Sequence, residues 1–423
     1  MKRVIGSNRG GAVAGLDVGS SKVCCFIARP GEDGRPRVVG IGQQASRGVR
    51  SGAVVDLQAA ERAIASAVEA AERMAGETVE QVVVNLSGGQ PMSASIPVEV
   101  AIDGHPVDES DLRRALDRHR LAEVMNGHAG PGREMVHSIP TGFAIDGSRG
   151  IRDPRGMYGE RLGVAMHVVT AASGPLRNLA TCVERCHLDV AALVVSPYAA
   201  GLAALVEDET DLGVTLVDMG GGTTTIAVFG EGQVLHTDCI PVGGSHVTND
   251  IARGLSTSRA HAERMKTLYG HAMAAAADAR ESIEVPQVGE EDEGVTQQVP
   301  RSLLTGIIQP RLEETFELVR SRLEASGADG VAGRRVVLTG GASQLPGLRD
   351  LAALILDKQV RLGRPVRVAG LAEATHGPAY ATCAGLLTYA VEAETAVPEP
   401  ARPQTREPGS VLGRLGHWFR EHF

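Results

Sequence analysis

The sequence predicts an α/β protein of two similar halves facing each other, with a smaller α+β unit inserted into the first half. Three observations carry that expectation. Apolar strands alternate with helix-like stretches along most of the chain. Two blocks of matching texture, AGLDVGSSKVCCFIARPGEDGRPRVVGIG from Ala14 to Gly42 and VTLVDMGGGTTTIAVFGEGQVLHTDCIPVGG from Val214 to Gly244, lie about 200 residues apart and form a long-period internal repeat. Between Gln90 and Leu162 the texture changes to short apolar strands and loops rich in Gly and Pro.

Taken in order, the first block reads apolar strand, Asp, small-residue turn, strand, Gly-rich turn, strand. A helix-like stretch follows from Asp56 to Met74, and the strand VVVNLSGG closes the unit. The inserted segment carries the strands SASIPVEVAI and MVHSIPTGFAI and one charged helix from Asp108 to about Leu121. The chain then returns with the strand MHVVTAA and a helix from Pro175 to Cys186, so the first half is discontinuous. After the second block a helical pattern runs from His246 to about Ala279. The acidic run GEEDEG, Gly289 to Gly294, reads as a solvated loop. A strand and Gly turn, RVVLTGGASQLPGLRDLA, precede another helix. From Val391 to Gly409 the composition turns Pro-rich, too poor in apolar surface to fold.

At 423 residues and roughly 150 per domain, the chain has room for two or three compact units. Hydrophobic residues at 43% and charged residues at 22% match a soluble globular protein and exclude wholesale disorder or a polytopic membrane protein. A formal charge of −9 argues against a nucleic-acid partner. No run of about 18 apolar residues is present to span a bilayer, and MKRVIGSNRGG lacks the apolar core of a signal peptide, so the expected compartment is the cytoplasm. Cys24, Cys25, Cys182, Cys186, Cys239 and Cys383 lie in apolar runs without zinc-site spacing and read as buried thiols.

The residues suited to chemistry sit in three turns. Asp17 ends an apolar strand before Gly19, Ser20, Ser21 and Lys22, where a glycine, two hydroxyls and a cation suit phosphate oxygens. Alone, such a turn also marks an ordinary hairpin. Asp218 is followed by Gly220, Gly221, Gly222, Thr223 and Thr224, again between strands. Two such hairpins opposed across a cleft grip a polyphosphate from both sides, and Asp17 and Asp218 then supply carboxylates to a hydrated Mg2+. The third turn, Gly340, Gly341 and Ala342, lets a flat adenosine ring lie against backbone. A P-loop, which opens a helix with GxxxxGK[ST], is absent.

The order of Asp-Gly hairpin, DMGGGT hairpin and late TGGAS turn resembles the actin superfamily, which includes chaperone ATPases and sugar kinases. With HSIPTGFAIDGSRGIRDPRGMYGERL, VTNDIA (Val247 to Ala252), Pro286, the PRSL stretch from Pro300 to Leu303 and the terminal GHWFREHF, the chain is similar over residues 12 to 423 to the FtsA family of bacterial cell-division proteins. The resemblance implies an actin-like, two-lobed, ribonuclease-H-like fold in which an α+β subdomain, 1C, replaces 1B. It divides the chain into subdomain 1A (1–86), inserted 1C (87–163), the 1A return (164–195), 2A (196–245), 2B (246–302), a 2A return with closing helix (303–390), a linker (391–409) and a membrane-targeting helix (410–423). It implies ATP between the lobes, Gly243 and Gly244 as added backbone contacts, Lys266 near the adenosine, and polymerisation through 1C and 2B. It further implies that the C-terminal peptide of the tubulin-like protein FtsZ docks near Arg301, Ser302 and Leu303, that other divisome proteins are recruited, and that the protein works peripherally at the inner face of the cell membrane at the division site.

One departure from the superfamily concerns hydrolysis. No water-positioning glutamine or glutamate is recognisable; in SGPLRNLATCVERC only Asn178 and Glu184 stand as candidates, so turnover is expected to be slow at best. Two function classes follow: a membrane-tethered ATP-binding adaptor, or a phosphotransferase of the sugar-kinase type or pilus-assembly scaffold on the same nucleotide scaffold. The tail separates them. Val411, Leu412, Leu415, Trp418, Phe419 and Phe423 fall on one helical face, with Arg414 and Arg420 opposite, a pattern suited to an anionic membrane surface. Burying six such side chains is worth roughly 9 to 18 kcal/mol as an upper bound, from which ordering costs are subtracted, so one tail binds reversibly and a filament multiplies the attachment. Trp418→Glu is expected to release the protein from anionic liposomes; unchanged sedimentation with liposomes refutes this.

Overall fold

The computed structural model describes residues 11–32, 34–117, 121, 130, 132–275, 280–288 and 296–395. In the first lobe, β1 (Val13–Val18), β2 (Lys22–Pro30) and β3 (Pro36–Ala45) form an antiparallel meander, followed by the two-residue strands β4 (Val49–Arg50) and β5 (Ala53–Val54). Helix α1 (Leu57–Ala75) starts at Asp56, whose carboxylate accepts from the Ala59 amide at 3.0 Å, and stops at Gly76 in the left-handed region (φ 73°). Its stripe of Ala60, Ala63, Ile64, Ala67, Val68 and Ala71 is buried. A Cβ on Gly42 of β3 would lie 1.8 Å from the Ala67 carbonyl, so helix and sheet meet at backbone distance only because that residue is glycine. Strand β6 (Gln81–Leu86) then pairs parallel to β1.

The chain leaves this lobe for β7 (Met92–Ala101), α2 (Glu109–Ala115), β8 (Arg133–Ile145), β9 (Ser148–Ile151) and β10 (Arg161–Ala172), a separate antiparallel sheet in the order β7-β10-β8-β9. That sheet has its own core, in which Ile102, Leu162 and Met166 are fully buried. Helix α3 (Ser173–Glu184) returns to β11 (Asp189–Val195), completing the order β11-β6-β1-β2-β3. Helices α4 (Ser196–Ala204) and α5 (Glu207–Leu212) lead to the second lobe.

There, β12 (Val214–Met219), β13 (Thr224–Gly230) and β14 (Gln233–Ile240) form a second meander. Helices α6 (Gly244–Gly254) and α7 (Arg259–Tyr269), the hairpin β15 (Ser282–Pro286) with β16 (Thr296–Pro300), and α8 (Arg301–Ser326) follow. Strand β17 (Arg335–Thr339) pairs parallel to β12, and after α9 (Leu348–Leu356), β18 (Gln359–Leu362) closes a sheet of order β14-β13-β12-β17-β18. The two five-stranded sheets therefore share one topology: an antiparallel meander whose first strand pairs with one parallel strand, which in turn pairs with a second. Helix α10 (Ala381–Thr395) lies back on β1 and α4; a Cβ on its Gly385 would stand 1.7 Å from the Ala199 carbonyl.

Several sequence expectations shift. The helix from His246 to about Ala279 is two helices, because Gly254, Ser256 in the left-handed region (φ 49°) and the N-cap Ser258 turn the chain between them; residues 276–279 lie outside the described residues. The charged helix begins at Glu109, with Asp108 capping Ser110 and Asp111. Strand β10 runs unbroken through Gly163, so the boundary expected there falls within a strand, and the one after Ser302 falls within the first turn of α8. Helix α10 continues past Val391, whose side chain is buried in the core it shares with β1 and β2; the linker expected from 391 has a helical start. The rest of that linker, the helix at 410–423 with Trp418, and the acidic run 289–294 lie outside the described residues. All six cysteines are free, but Cys186 and Cys239 are only partly buried.

Candidate functional site

Each lobe offers one hairpin tip to the other. Gly19 N–H donates to Lys22 O at 3.0 Å and Gly220 N–H to Thr223 O at 2.8 Å, so both turns close two-residue tips: Ser20-Ser21 and Gly221-Gly222. The tips are in contact. A Cβ on Gly221 would lie 1.9 Å from Ser21 Oγ and one on Gly222 2.4 Å from Ser20 Oγ. Neither glycine needs a left-handed backbone; each is glycine because the other lobe occupies its side-chain space. Among the described residues, the amides of Ser20, Ser21, Gly221 and Gly222 meet no protein acceptor.

Below the tips lies a cleft of about 460 Å³, within the size range of sites for small ligands. Asp17 and Asp218 both line it. Burial pushes the Asp17 carboxyl up to about 7; Lys22 opposes the shift and the charge of Asp218 adds to it. Burial likewise raises Asp218 to about 6, opposed by the hydroxyl of Thr382, which donates to Oδ2 at 2.9 Å, and by Lys22. Gly340 (φ 84°) stands against this carboxylate, where a Cβ would be 2.3 Å from Oδ1. Lys22 reaches across the cleft, its Nζ donating to Ala379 O at 2.6 Å and sitting 3.4 Å from the centre of the Tyr380 ring. At the far end, Gly341, Ala342 and Leu345 face Val247, Glu263 and Lys266. Lys266 Nζ donates to Glu263 Oε2 at 2.7 Å and to Thr248 Oγ1 at 2.9 Å.

The structure thus gathers Asp17, Gly19, Ser20, Ser21, Lys22, Asp218, Gly220, Gly221, Gly222, Thr223, Gly244, Lys266, Gly340, Gly341 and Ala342 around one cleft. It does not bring every expected residue there. The Thr224 hydroxyl is turned away, fully buried and donating to Val242 O at 2.8 Å. Gly243 and Gly244 have no free amide to offer: the first donates to His246 Nδ1 and the second to Gly220 O, both at 3.0 Å. Asn178 is exposed on α3 and Glu184 ends that helix; neither borders the cleft. Sequence reasoning passed over Asn85 and Ser196. Asn85 Oδ1 accepts from Val18 N–H at 2.7 Å and its amide donates to Ser196 Oγ at 3.1 Å, making a buried polar floor beside Asp17. A polar residue near the end of an otherwise apolar strand, VVVNL, was the available signal for Asn85.

Two lobes of one topology, with opposed hairpin tips above paired aspartates, make this an actin-like protein. A chain of the PilM–PilN type IV pilus biogenesis complex shares the fold with a TM-score of 0.64 at 18% identity, over 90% of this chain and 98% of that one. MreB5 of Spiroplasma citri bound to ADP does so with a TM-score of 0.50 at 13% identity, over 88% and 94%. Within that class, the model for cell division protein FtsA matches residues 215–385, and the model for the SHS2 domain inserted in FtsA matches residues 88–170. The cell division protein FtsA of Agrobacterium fabrum is 46% identical over 99% of this chain and 96% of its own length. The chain belongs to the FtsA family of cell division proteins.

The raised carboxyls have a consequence for stability. An acid of ordinary value near 3.8 that folds into a site where it titrates near 7 holds its proton more tightly in the folded state, so stability present below about pH 4 is lost as pH rises to about 7. Without added nucleotide or divalent cation, Asp17→Asn is expected to melt above the wild type at pH 8 and level with it at pH 4 by thermal denaturation. A variant less stable than wild type at pH 8 refutes the burial argument.

Proposed function

We propose that this chain is an ATP-binding, actin-like division protein that polymerises and ties the FtsZ ring to the inner face of the cell membrane at the division site. The observation that carries the reading is the contact of the two hairpin tips above Asp17 and Asp218. The residues fit a nucleoside triphosphate: four unpartnered amides and the Ser20, Ser21 and Thr223 hydroxyls suit the phosphates, and Gly341, Ala342 and Lys266 the adenosine. Asp17 and Asp218 would hold hydrated Mg2+, which when bound neutralises charge on the phosphates and on these two carboxylates. The ADP named with MreB5 supports the ligand class.

The chain's own residues bind and orient more than they react. Beyond the two aspartates, Glu263 is the one carboxylate lining the cleft among the described residues, and it is engaged by Lys266. No lining group is left to serve as a positioned base, and slow turnover follows. Bound ATP then acts as a structural bridge between lobes, and association through the inserted subdomain and the region of α6 to α8 follows the closed form. A sugar-kinase reading needs a catalytic carboxylate facing a substrate cleft, and among the described residues none beyond Asp17, Asp218 and the engaged Glu263 lines this one.

For the FtsZ peptide, the ends of α7 and α8 present exposed Leu268, Tyr269 and Leu303 beside Ser302. Arg301 is less available than its sequence position suggests, since Nη1 pairs with Glu281 Oε2 at 2.7 Å and Nε donates to Tyr269 O at 2.9 Å. It shapes the surface, and apolar contact supplies the affinity. The tail at 410–423 supplies the membrane contact, and further divisome proteins join through the assembled surface.

Gly222→Val is expected to weaken ATP·Mg binding at least thirtyfold, about 2 kcal/mol, in a fluorescent-nucleotide titration; no binding by the wild type ends the nucleotide reading. Leu303→Asp is expected to weaken binding of an FtsZ C-terminal peptide about tenfold, about 1.4 kcal/mol, by anisotropy. A wild-type chain that ignores the peptide returns the field to the pilus-type scaffold.

A further inference from the structure

Beside the hairpin tips a second cavity, of about 590 Å³, opens between the lobes and shares Ser20, Gly222 and Ser245 with the border of the first. Its walls carry Arg47 and Arg50 from the segment around β4, and Arg253 and Arg259 from the end of α6 and the start of α7. Among the described residues, no carboxylate lines it. Among the described residues, none of these four arginines forms an ion pair or a side-chain hydrogen bond. That sets them apart from Arg311, Arg335 and Arg361 in the same lobe as Arg253, each of which is held by an acid.

Arg47, Arg50, Arg253 and Arg259 line one cavity, and repulsion between like charges closer than about a Debye length, near 8 Å in physiological salt, is only partly screened. The position of Arg259 adds to the field, because a cation in the first turn of a helix stands against the positive end of the helix dipole. His246 contributes a further donor. Its Nδ1 accepts the Gly243 amide, so the neutral ring carries its proton on Nε2. Asn249 adds a side-chain amide. The wall is thus cationic and rich in donors, with planar forks matched to tetrahedral oxyanions.

We propose that this cavity binds a polyvalent phosphate anion, orthophosphate or pyrophosphate, gripped between Arg47 and Arg50 of one lobe and Arg253 and Arg259 of the other. The anion removes the repulsion across the gap and favours the closed arrangement of the lobes. The site goes beyond the nucleotide reading: it lies outside the paired aspartates and uses none of the residues assigned to adenosine.

The test titrates inorganic phosphate and pyrophosphate into the full chain by calorimetry at constant ionic strength, with and without saturating ADP, in wild type and in Arg50→Gln/Arg253→Gln. These side chains are exposed, and circular dichroism checks the fold of the variant. Binding to the ADP-loaded wild type that weakens at least tenfold in the variant, with fluorescent-ADP affinity unchanged, supports the site. Tighter pyrophosphate than orthophosphate identifies a ligand spanning both lobes; equal affinity identifies the single ion. Phosphate binding that vanishes with ADP and is untouched by the arginine changes places the anion at the hairpin tips and overturns the proposal. So does the absence of binding to either form. Should ADP itself fail to bind, the nucleotide reading falls alone, because the ADP-free comparison of wild type and variant still decides the arginine cavity.

Discussion

The contact on which the rest of the structure depends is the meeting of Ser20-Ser21 with Gly221-Gly222. Two hairpin tips of the same geometry approach so closely that only one can carry side chains, and the glycines yield that space to the serines. The lobes are consequently coupled at their nearest point. Lys22 and Thr382 tie the same region together, the first by reaching Ala379 and Tyr380, the second by donating to Asp218. Any ligand held by both tips acts directly on the angle between lobes, and its influence equals its preference for the closed over the open form.

The second constraint is electrostatic. Asp17 and Asp218 are buried near each other, and each has a carboxyl raised well above its ordinary range by lost hydration. Burying ionised carboxylates without full compensation is costly. A fold that retains two of them in one cleft stores a demand for positive charge, partly met by Lys22. On the reading proposed above, a hydrated cation and its nucleotide meet the remainder, which links occupancy of the cleft to stability of the closed lobes.

The inserted sheet shows how a large unit is carried without disturbing this arrangement. It departs after β6 and returns along β10, whose last buried residues, Val169 and Ala171, belong to the core of the first lobe. Its contacts with the second lobe are polar and apolar: Ser93 Oγ donates to Thr237 O at 2.8 Å and accepts the Thr237 amide at 3.0 Å, and Ile139 of β8 packs against the core that holds Phe229 and Val234. Since the sheet has its own apolar core, its orientation rests on β10 and on these contacts, together with His137 of β8, which accepts the Val195 amide at 3.0 Å.

The alternation of strands and helices, the repeated Asp-turn-strand block and the change of texture after Gln90 were legible along the chain, because each is a local pattern of period, turn chemistry and composition. The same local reading singled out Asp17, Lys22, Asp218 and Gly340, which the fold gathers around one cleft. It did not foresee that the hydroxyl of Thr224 and the amides of Gly243 and Gly244 are taken up by Val242, His246 and Gly220, and it overlooked Asn85 and Ser196, which meet although 111 positions apart. Hydroxyls and amides advertise capacity, not availability. The sequence by itself determined the alternation of elements and which turns carry small and acidic residues. Only the tertiary structure decided which tip keeps its side chains, which donors remain free and which arginines stand unpaired, because those outcomes depend on the partner that a distant segment delivers to the same few ångströms of space.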